Sequence, residues 1–262
     1  MISNIKTSTA TTLAILSFVI SQPKQKVEFE YYTVNDGLAE NSVDVILQDK
    51  KGFIWAGTEN GLCRFDGYMF KVFEHNPFDS TTLMGNAIVS LFQDSMKRLW
   101  VGTGPGLNLY NPTTNTFIRY PHKLENKNSI PQFPSGIEED KQGNICCVGW
   151  TPGVYKQDPK TGAVTVFNHD PKDDTSISAD LKSGANIFIK DSLGNMWSHH
   201  GKGLNLINPN TNKVTRFLRS KSGGSISSDT INTLLPDKFG NMWIGTNKGL
   251  DRMDINTKMV GQ

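Results

Sequence analysis

The chain has 262 residues, with 27 Lys and Arg against 25 Asp and Glu, a formal net charge of +2. No lysine or arginine cluster stands out, so a nucleic-acid surface, which carries a basic stripe, is excluded as the main function. With 24 Gly, 12 Pro and 37% hydrophobic residues, the chain is neither collagenous nor low-complexity, and it is long enough to bury the core of one domain built from many short strands.

The first segment, Met1–Gln22, carries Lys6, then the apolar run Leu13–Ile20, then Ser21 where a signal peptidase reads small residues. This predicts a cleaved signal peptide over 1–21 and a mature chain, 22–262, exported to the periplasm. The apolar run is short for a bilayer, and no later run approaches the roughly 18 residues a span needs, so no membrane span is expected after cleavage. Cys63, Cys146 and Cys147 form neither an even disulfide set nor a metal-ligand spacing, and read as small hydrophobes in strands.

Val27–Thr33 alternates and reads as an extra outer strand. After it, one pattern recurs five times, led by Asp49, Asp94, Asp140, Asp191 and Asp237, spaced 45, 46, 51 and 46 residues apart. An apolar first strand precedes each aspartate: Val43–Gln48, Ile88–Gln93, a weak counterpart at Ile137, Ala185–Lys190 and Ile231–Leu235. The Asp-x-x-Gly step that follows predicts a tight turn, with Asp accepting local N–H bonds and Gly left-handed. Lys97 takes the Gly place in the second repeat, which predicts a looser or different turn. The second strand carries Trp55, Trp100, Trp197 and Trp243, with Cys146 in the third repeat. One indole per repeat, each able to bury about 150–250 Å², belongs where blades pack.

Asn60-Gly61, Pro105-Gly106, Pro152-Gly153, Lys202-Gly203 and Lys248-Gly249 turn the chain into a third strand. Tyr68–Phe73, Thr116–Tyr120, Val164–Phe167 and Val214–Phe217 supply the fourth. A period of this size with four short strands predicts an all-β propeller of four-stranded antiparallel blades, centred on 43–73, 88–120, 137–167, 185–217 and 231–260. Five repeats make either a five-bladed ring or part of a larger one. The last repeat reaches Lys258–Gln262 where a fourth strand is due, and Val27–Thr33 is the sequence's candidate to complete that blade or another. The expectation is that the chain is the N-terminal part of a larger protein, and that unpaired edges lead to self-association or pairing with further propeller blades.

The pattern D-x-x-G-x-[ILM]-W-x-G-T-x-x-G-L-x-R-[FM]-D over Asp49–Asp66 and Asp237–Asp254 resembles the two-component regulator propeller repeat. The linkers at His75-Asn76-Pro77 to Leu83, Asn128-Ser129-Ile130 and His169-Asp170-Pro171 to Ser178 are similar to that family's, as is the opening Asn35–Val43. The resemblance implies the periplasmic sensor region of a hybrid two-component histidine kinase, in a family many of whose members respond to oligosaccharides. The parent family's kinase and response-regulator modules are absent from the 262 residues, so the resemblance implies a non-enzymatic sensor region with an oligosaccharide ligand and no cofactor.

No Gly-x-Ser-x-Gly, His-Glu-x-x-His, P-loop or Cys-x-x-Cys motif occurs, so no catalytic or metal-binding residue is nominated. His75, His122 and His169 recur two residues beyond a blade's last aromatic residue, which indicates a turn role. Departures from the repeat nominate a ligand site. Where three blades carry Gly-Thr, the fourth has His199-His200 before Lys202, and the third has Val148-Gly149-Trp150. An aromatic with polar neighbours suits a sugar ring, while drift in the repeat would produce the same substitutions. Asp173, Asp174 and Lys182, in a longer linker, are weaker candidates. Two other functions remain open on the sequence: an enzyme of the streptogramin-lyase propeller type, and a scaffold fragment that binds no ligand.

Overall fold

A computed structural model of the chain describes residues 28–126, 128–179, 187–199, 202–208, 211–221 and 224–261; the expected signal peptide lies outside them. The chain divides into Met1–Tyr31, whose described residues 28–31 hold no helix or strand, and Tyr32–Gln262, which holds every strand. Among the described residues no helix is long and apolar enough to cross a membrane.

Five four-stranded antiparallel sheets follow one another in sequence order. Blade 1 is β1 (Val45–Gln48), β2 (Ile54–Thr58), β3 (Gly61–Phe65) and β4 (Phe70–Phe73). Blade 2 is β5 (Ile88–Gln93), β6 (Leu99–Thr103), β7 (Gly106–Asn111) and β8 (Thr116–Pro121). Blade 3 is β9 (Gly136–Glu139), β10 (Ile145–Val148), β11 (Val154–Gln157) and β12 (Val164–Phe167). Blade 4 is β13 (Ile187–Lys190), β14 (Met196–His199), β15 (Leu204–Asn208) and β16 (Lys213–Phe217). Blade 5 is β17 (Ile231–Pro236), β18 (Asn241–Thr246), β19 (Gly249–Asp254) and β20 (Val260–Gly261). The first strands pack in series, β1 on β5, β5 on β9, β9 on β13 and β13 on β17, which is the propeller arrangement the repeat predicts.

Two expectations are corrected. Val27–Thr33 is not an outer strand: its described part, 28–33, has no strand, and blade 5 takes its fourth strand from its own Val260–Gly261. A capping box explains the difference. Thr33 N–H donates to Asp36 Oδ2 at 2.8 Å and Asn35 N–H to Thr33 Oγ1 at 3.2 Å, so the chain turns into the short 3-10 segment Val34–Asp36 instead of extending. Nor does Lys97 loosen its turn. Its N–H donates to the Asp94 carbonyl at 2.9 Å, as Gly52 N–H does to Asp49, and Lys97 itself adopts φ 65° to keep the shape. A side chain in that region costs of order 1 kcal/mol, less than the bonds the turn organises.

Four apolar clusters sit between consecutive blades, and each joins the trailing face of one sheet to the leading face of the next. Trp55, Leu62 and Phe73 of blade 1 meet Leu99, Val101 and Tyr110 of blade 2. Trp100 and Leu107 meet Ile145, Cys147 and Tyr155. Cys146 and Val154 meet Met196 and Ile207, and Trp197 and Leu204 meet Met242, Ile244 and Met253. Burial at these seams is the main stabilising term. All three cysteines are buried and free, and burial pushes the Cys146 and Cys147 thiols well up, which keeps them unreactive hydrophobes.

Gly57 shows why a glycine ends the second strand. A Cβ there would lie 2.6 Å from both Val45 and Ile88, the first strands of its own and the next blade.

Candidate functional site

The leading aspartate of each repeat does more than shape a turn. Asp49 Oδ1 accepts the N–H groups of Lys51 and Phe53, and Oδ2 accepts the Trp55 indole at 2.9 Å. The same indole bond joins Trp100 to Asp94 (2.9 Å), Trp197 to Asp191 (2.7 Å) and Trp243 to Asp237 (2.9 Å). Each carboxylate therefore satisfies the donor that a buried indole brings with it. In blade 3, where Cys146 replaces Trp, Asp140 Oδ2 accepts the Asn144 amide at 2.7 Å, a bond that Asn195 and Asn241 make beside the indole in blades 4 and 5. Glu138 pairs with Cys146 there, where the other blades set Leu47, Phe92, Ile189 and Leu235 beside the indole. Burial raises the Glu138 carboxyl, and Lys190 opposes the rise.

At Asp237 the carboxylate is held down to about 2, chiefly by the Asn241 N–H, with the Asn241 amide, the Trp243 indole and the Phe239 N–H adding to it against desolvation. A carboxyl depressed on folding contributes stability above its unfolded value of about 4 and loses it as the pH falls through about 2. Urea midpoints measured from pH 5 to pH 2 should show the gap between the wild-type chain and Asp237→Asn shrinking across that window, and a gap constant down to pH 2 would contradict the assignment.

A second set of polar residues ties each linker to the blade after it. At the position opposite the middle of the second strand, blade 2 carries Asn108, blade 4 Asn205 and blade 5 Asp251, all buried. They accept the N–H groups of Met84 (3.0 Å), Ser178 (2.8 Å) and Ser227 (2.7 Å), and Cys63 Sγ accepts Ala39 N–H at 3.2 Å in blade 1. The corresponding linker residue before blade 3 is Pro131, which has no N–H, and the strand position there is Tyr155. His75, His122 and His169 reach the carbonyls of Leu83, Ile130 and Ile177 through Nδ1 at 2.6, 2.8 and 2.7 Å, which gives them the turn role their recurrence indicates.

Against this scaffold the nominated residues separate. His199 Nδ1 bonds the Gly203 carbonyl at 2.9 Å. Thr58, Thr103 and Thr246 hold the Gly61, Gly106 and Gly249 carbonyls with their hydroxyls, so His199 closes its hairpin as a threonine does elsewhere. His200 and Lys182 lie outside the described residues. Lys202 is exposed and its carbonyl accepts the Ser178 hydroxyl. Asp173 is engaged by the Thr175 N–H and hydroxyl, and Asp174 pairs with Arg216 at 3.4 Å, so both organise their own linker. Among the described residues no group of three or more His, Cys, Asp or Glu is placed to hold a metal ion.

Trp150 is different. Its side chain is 63% exposed and stacks on Phe133, with ring centroids 4.1 Å apart and planes at 23°. Trp150 N–H donates to the Gln132 carbonyl (2.9 Å) and Gln132 N–H to Thr151 Oγ1 (3.1 Å), which locks the two loops together. Phe133 N–H donates to Gly104 of blade 2 (3.0 Å), and the Phe133 ring lies close enough that a Cβ on Gly104 would be 3.1 Å from it. Among the described residues Trp150 makes no hydrogen bond or ring contact with His199 or Lys202. Phe133 was not nominated from the sequence, yet a signal exists. The matching linker position holds Asn41, Asn86 and Asp229, whose side chains accept the N–H of Val34, His75 and Arg219. Phenylalanine cannot accept that bond; it turns to φ 45° and stacks beneath Trp150. The result is an open two-ring surface with amide and hydroxyl neighbours, joined to blades 2 and 3 and rigid enough to receive the apolar face of a planar or sugar ring.

Five sheets in series, four of them carrying an Asp-tethered indole, define a β-propeller. Residues 37–60, 82–104 and 225–248 match the model of the two component regulator propeller, so over these three segments the chain is similar to that family. It is 38% identical over 80 residues to Histidine kinase P4 of Formosa agariphila, covering 30% of this chain and 6% of that protein. It is similar to a solved extracellular domain assigned to a hybrid two component system of B. thetaiotaomicron, with 27% identity and a TM-score of 0.68 over 88% of this chain and 31% of that one. A second B. thetaiotaomicron extracellular domain, assigned to a one component system, is 24% identical with a TM-score of 0.65 over 84% and 30% of the two chains. Virginiamycin B lyase of Staphylococcus aureus is 13% identical with a TM-score of 0.56 over 82% and 67%. The last two likenesses are of fold alone. The chain spans under a third of the length of the histidine kinase and of the two extracellular domains.

Proposed function

We propose that the chain is the ligand-sensing propeller of an exported hybrid two-component regulator, and that it binds an oligosaccharide on the Trp150–Phe133 surface without turning it over. The observation that carries this reading is the exposed indole held in a stack by two linkers, since an exposed tryptophan that only filled space would have no need of a fixed ring beneath it. The family's repeats, the likeness to extracellular domains and the apolar Leu13–Ile20 run after Lys6 support export. Signalling requires kinase modules beyond the 262 residues, and the exposed trailing face of blade 5 suits pairing with a further blade of the same repeat.

Calorimetric titration of defined oligosaccharides tests the binding claim. An oligosaccharide that binds the wild-type chain should bind Trp150→Ala several-fold to about tenfold more weakly, because an aromatic ring contact is worth about 0.5–1.5 kcal/mol beyond its area burial. The absence of heat across a broad glycan panel, or equal affinity in Trp150→Ala, would overturn the reading.

A further inference from the structure

A cavity of about 320 Å³ lies away from Trp150, between the Asp-led turns of blades 1 and 2. Arg64 lines it. In the strand register Arg64 stands opposite Trp55, the place where Leu109 faces Trp100 and Leu206 faces Trp197. Blade 1 thus sets a cation where blades 2 and 4 set an apolar side chain, and blades 3 and 5 hold Lys156 and Arg252 at the same place. The guanidinium lies 4.7 Å from the Phe53 ring centroid, and Nη1 donates to the Tyr110 hydroxyl at 3.3 Å, which in turn donates to Asn115 Oδ1 at 2.7 Å. Arg64 Nε is buried and has no hydrogen-bond partner. A guanidinium N–H removed from water without an acceptor is costly, and its natural complement is an oxyanion.

The charge around the cavity agrees. Lys50, Lys51 and Lys97 line it beside Arg64, and Asp49 is its one lining carboxylate. Both Asp49 oxygens are already occupied by the Lys51 and Phe53 N–H groups and the Trp55 indole. Arg98 is neutralised by Asp94, 2.6 Å away. Several cations therefore face a space walled on its other sides by Met96, Leu99 and Pro112, and the walls of low polarity strengthen the field inside.

We infer that this cavity binds a small organic anion, whose carboxylate or sulfate group is received by Arg64 and the flanking lysines while its apolar part lies against Met96 and Leu99. The inference does not rest on the Trp150 surface. It is tested by titrating the full chain with glucuronate, glucose and inorganic sulfate at low ionic strength. Glucuronate should bind, and its affinity should fall as salt is added. Arg64→Leu, which gives blade 1 the residue of blades 2 and 4 and keeps the fold, should weaken glucuronate at least tenfold. Lys51→Glu, on an exposed turn, should do the same, and Trp150→Ala should leave it unchanged. Equal binding of glucose and glucuronate, sulfate binding as tightly as glucuronate, or wild-type affinity in Arg64→Leu would each overturn the assignment.

Discussion

Asp94→Ala should lower the stability of the chain by about 3 kcal/mol, and with it the melting temperature by roughly 6–12 °C for a domain of this size. Asp94 is buried, and it accepts the Arg98 N–H at 2.8 Å, the Arg98 Nε at 2.6 Å and the fully buried Trp100 indole at 2.9 Å. Alanine removes all three hydrogen bonds at once. The indole N–H then loses its acceptor beside the apolar seam of Ile130, Ile145 and Tyr155. Two companions separate this account from a general sensitivity of turns. Trp100→Phe removes the donor together with its partner's task and leaves Asp94 with Arg98, so it should cost less than Asp94→Ala although it deletes as many heavy atoms. Asp140→Ala should also cost less, about 1–2 kcal/mol, because blade 3 has no indole and Asp140 Oδ2 holds only the Asn144 amide. Thermal unfolding followed by circular dichroism ranks the three; Asp140→Ala matching Asp94→Ala would show that the turn, and not the indole, is what the aspartate serves.

These bonds mark the boundary of what the amino-acid pattern discloses. Periodicity revealed the blades because four short strands per period, a Gly turn and one indole leave a trace in residue type alone. The strands β5 and β12 match their expected spans, and most others differ by a residue or two at the ends. Partnership is harder to read, since it depends on register. Arg64 looks unremarkable until the ladder sets it opposite Trp55, and Asn108, Asn205, Asp251 and Cys63 share no chemistry apart from accepting a linker N–H. The Pro131–Tyr155 exception becomes intelligible only once that bond is known. His199 carries the opposite lesson. As a departure from Gly-Thr it suggested a ligand contact, yet its ring reproduces a hydroxyl's bond to the hairpin glycine. Val27–Thr33 misled because alternation over seven residues cannot reveal a capping box at its far end. Phe133, which supplies half of the aromatic surface, was hidden among linker residues whose common role is to accept one N–H.

Leu204 and Leu250 provide the sharpest test of how the blades hold one another. Both follow the hairpin glycine and begin a third strand, at the place taken by Leu62, Leu107 and Val154 in the other blades. Leu62, Leu107 and Leu204 are 0% exposed and Val154 1%, whereas Leu250 is 63% exposed. The sequence is the same; what differs is the neighbour. Leu204 is covered by the leading face of blade 5, through Met242, Ile244 and Met253. Trp243 follows the same rule, half-buried where Trp55, Trp100 and Trp197 are fully enclosed. Leu204→Ala should therefore cost about 2–5 kcal/mol, the sum of lost transfer energy and the cavity left behind, while Leu250→Ala should stay within about 0.5 kcal/mol. Urea unfolding of the two variants gives both numbers under one condition. If a further blade covers this face in a longer form of the protein, Leu250→Ala should become as costly there as Leu204→Ala is here. Equal and large costs in the 262-residue chain would mean that Leu250 is buried in solution, and that the repeat's seams are not made one neighbour at a time.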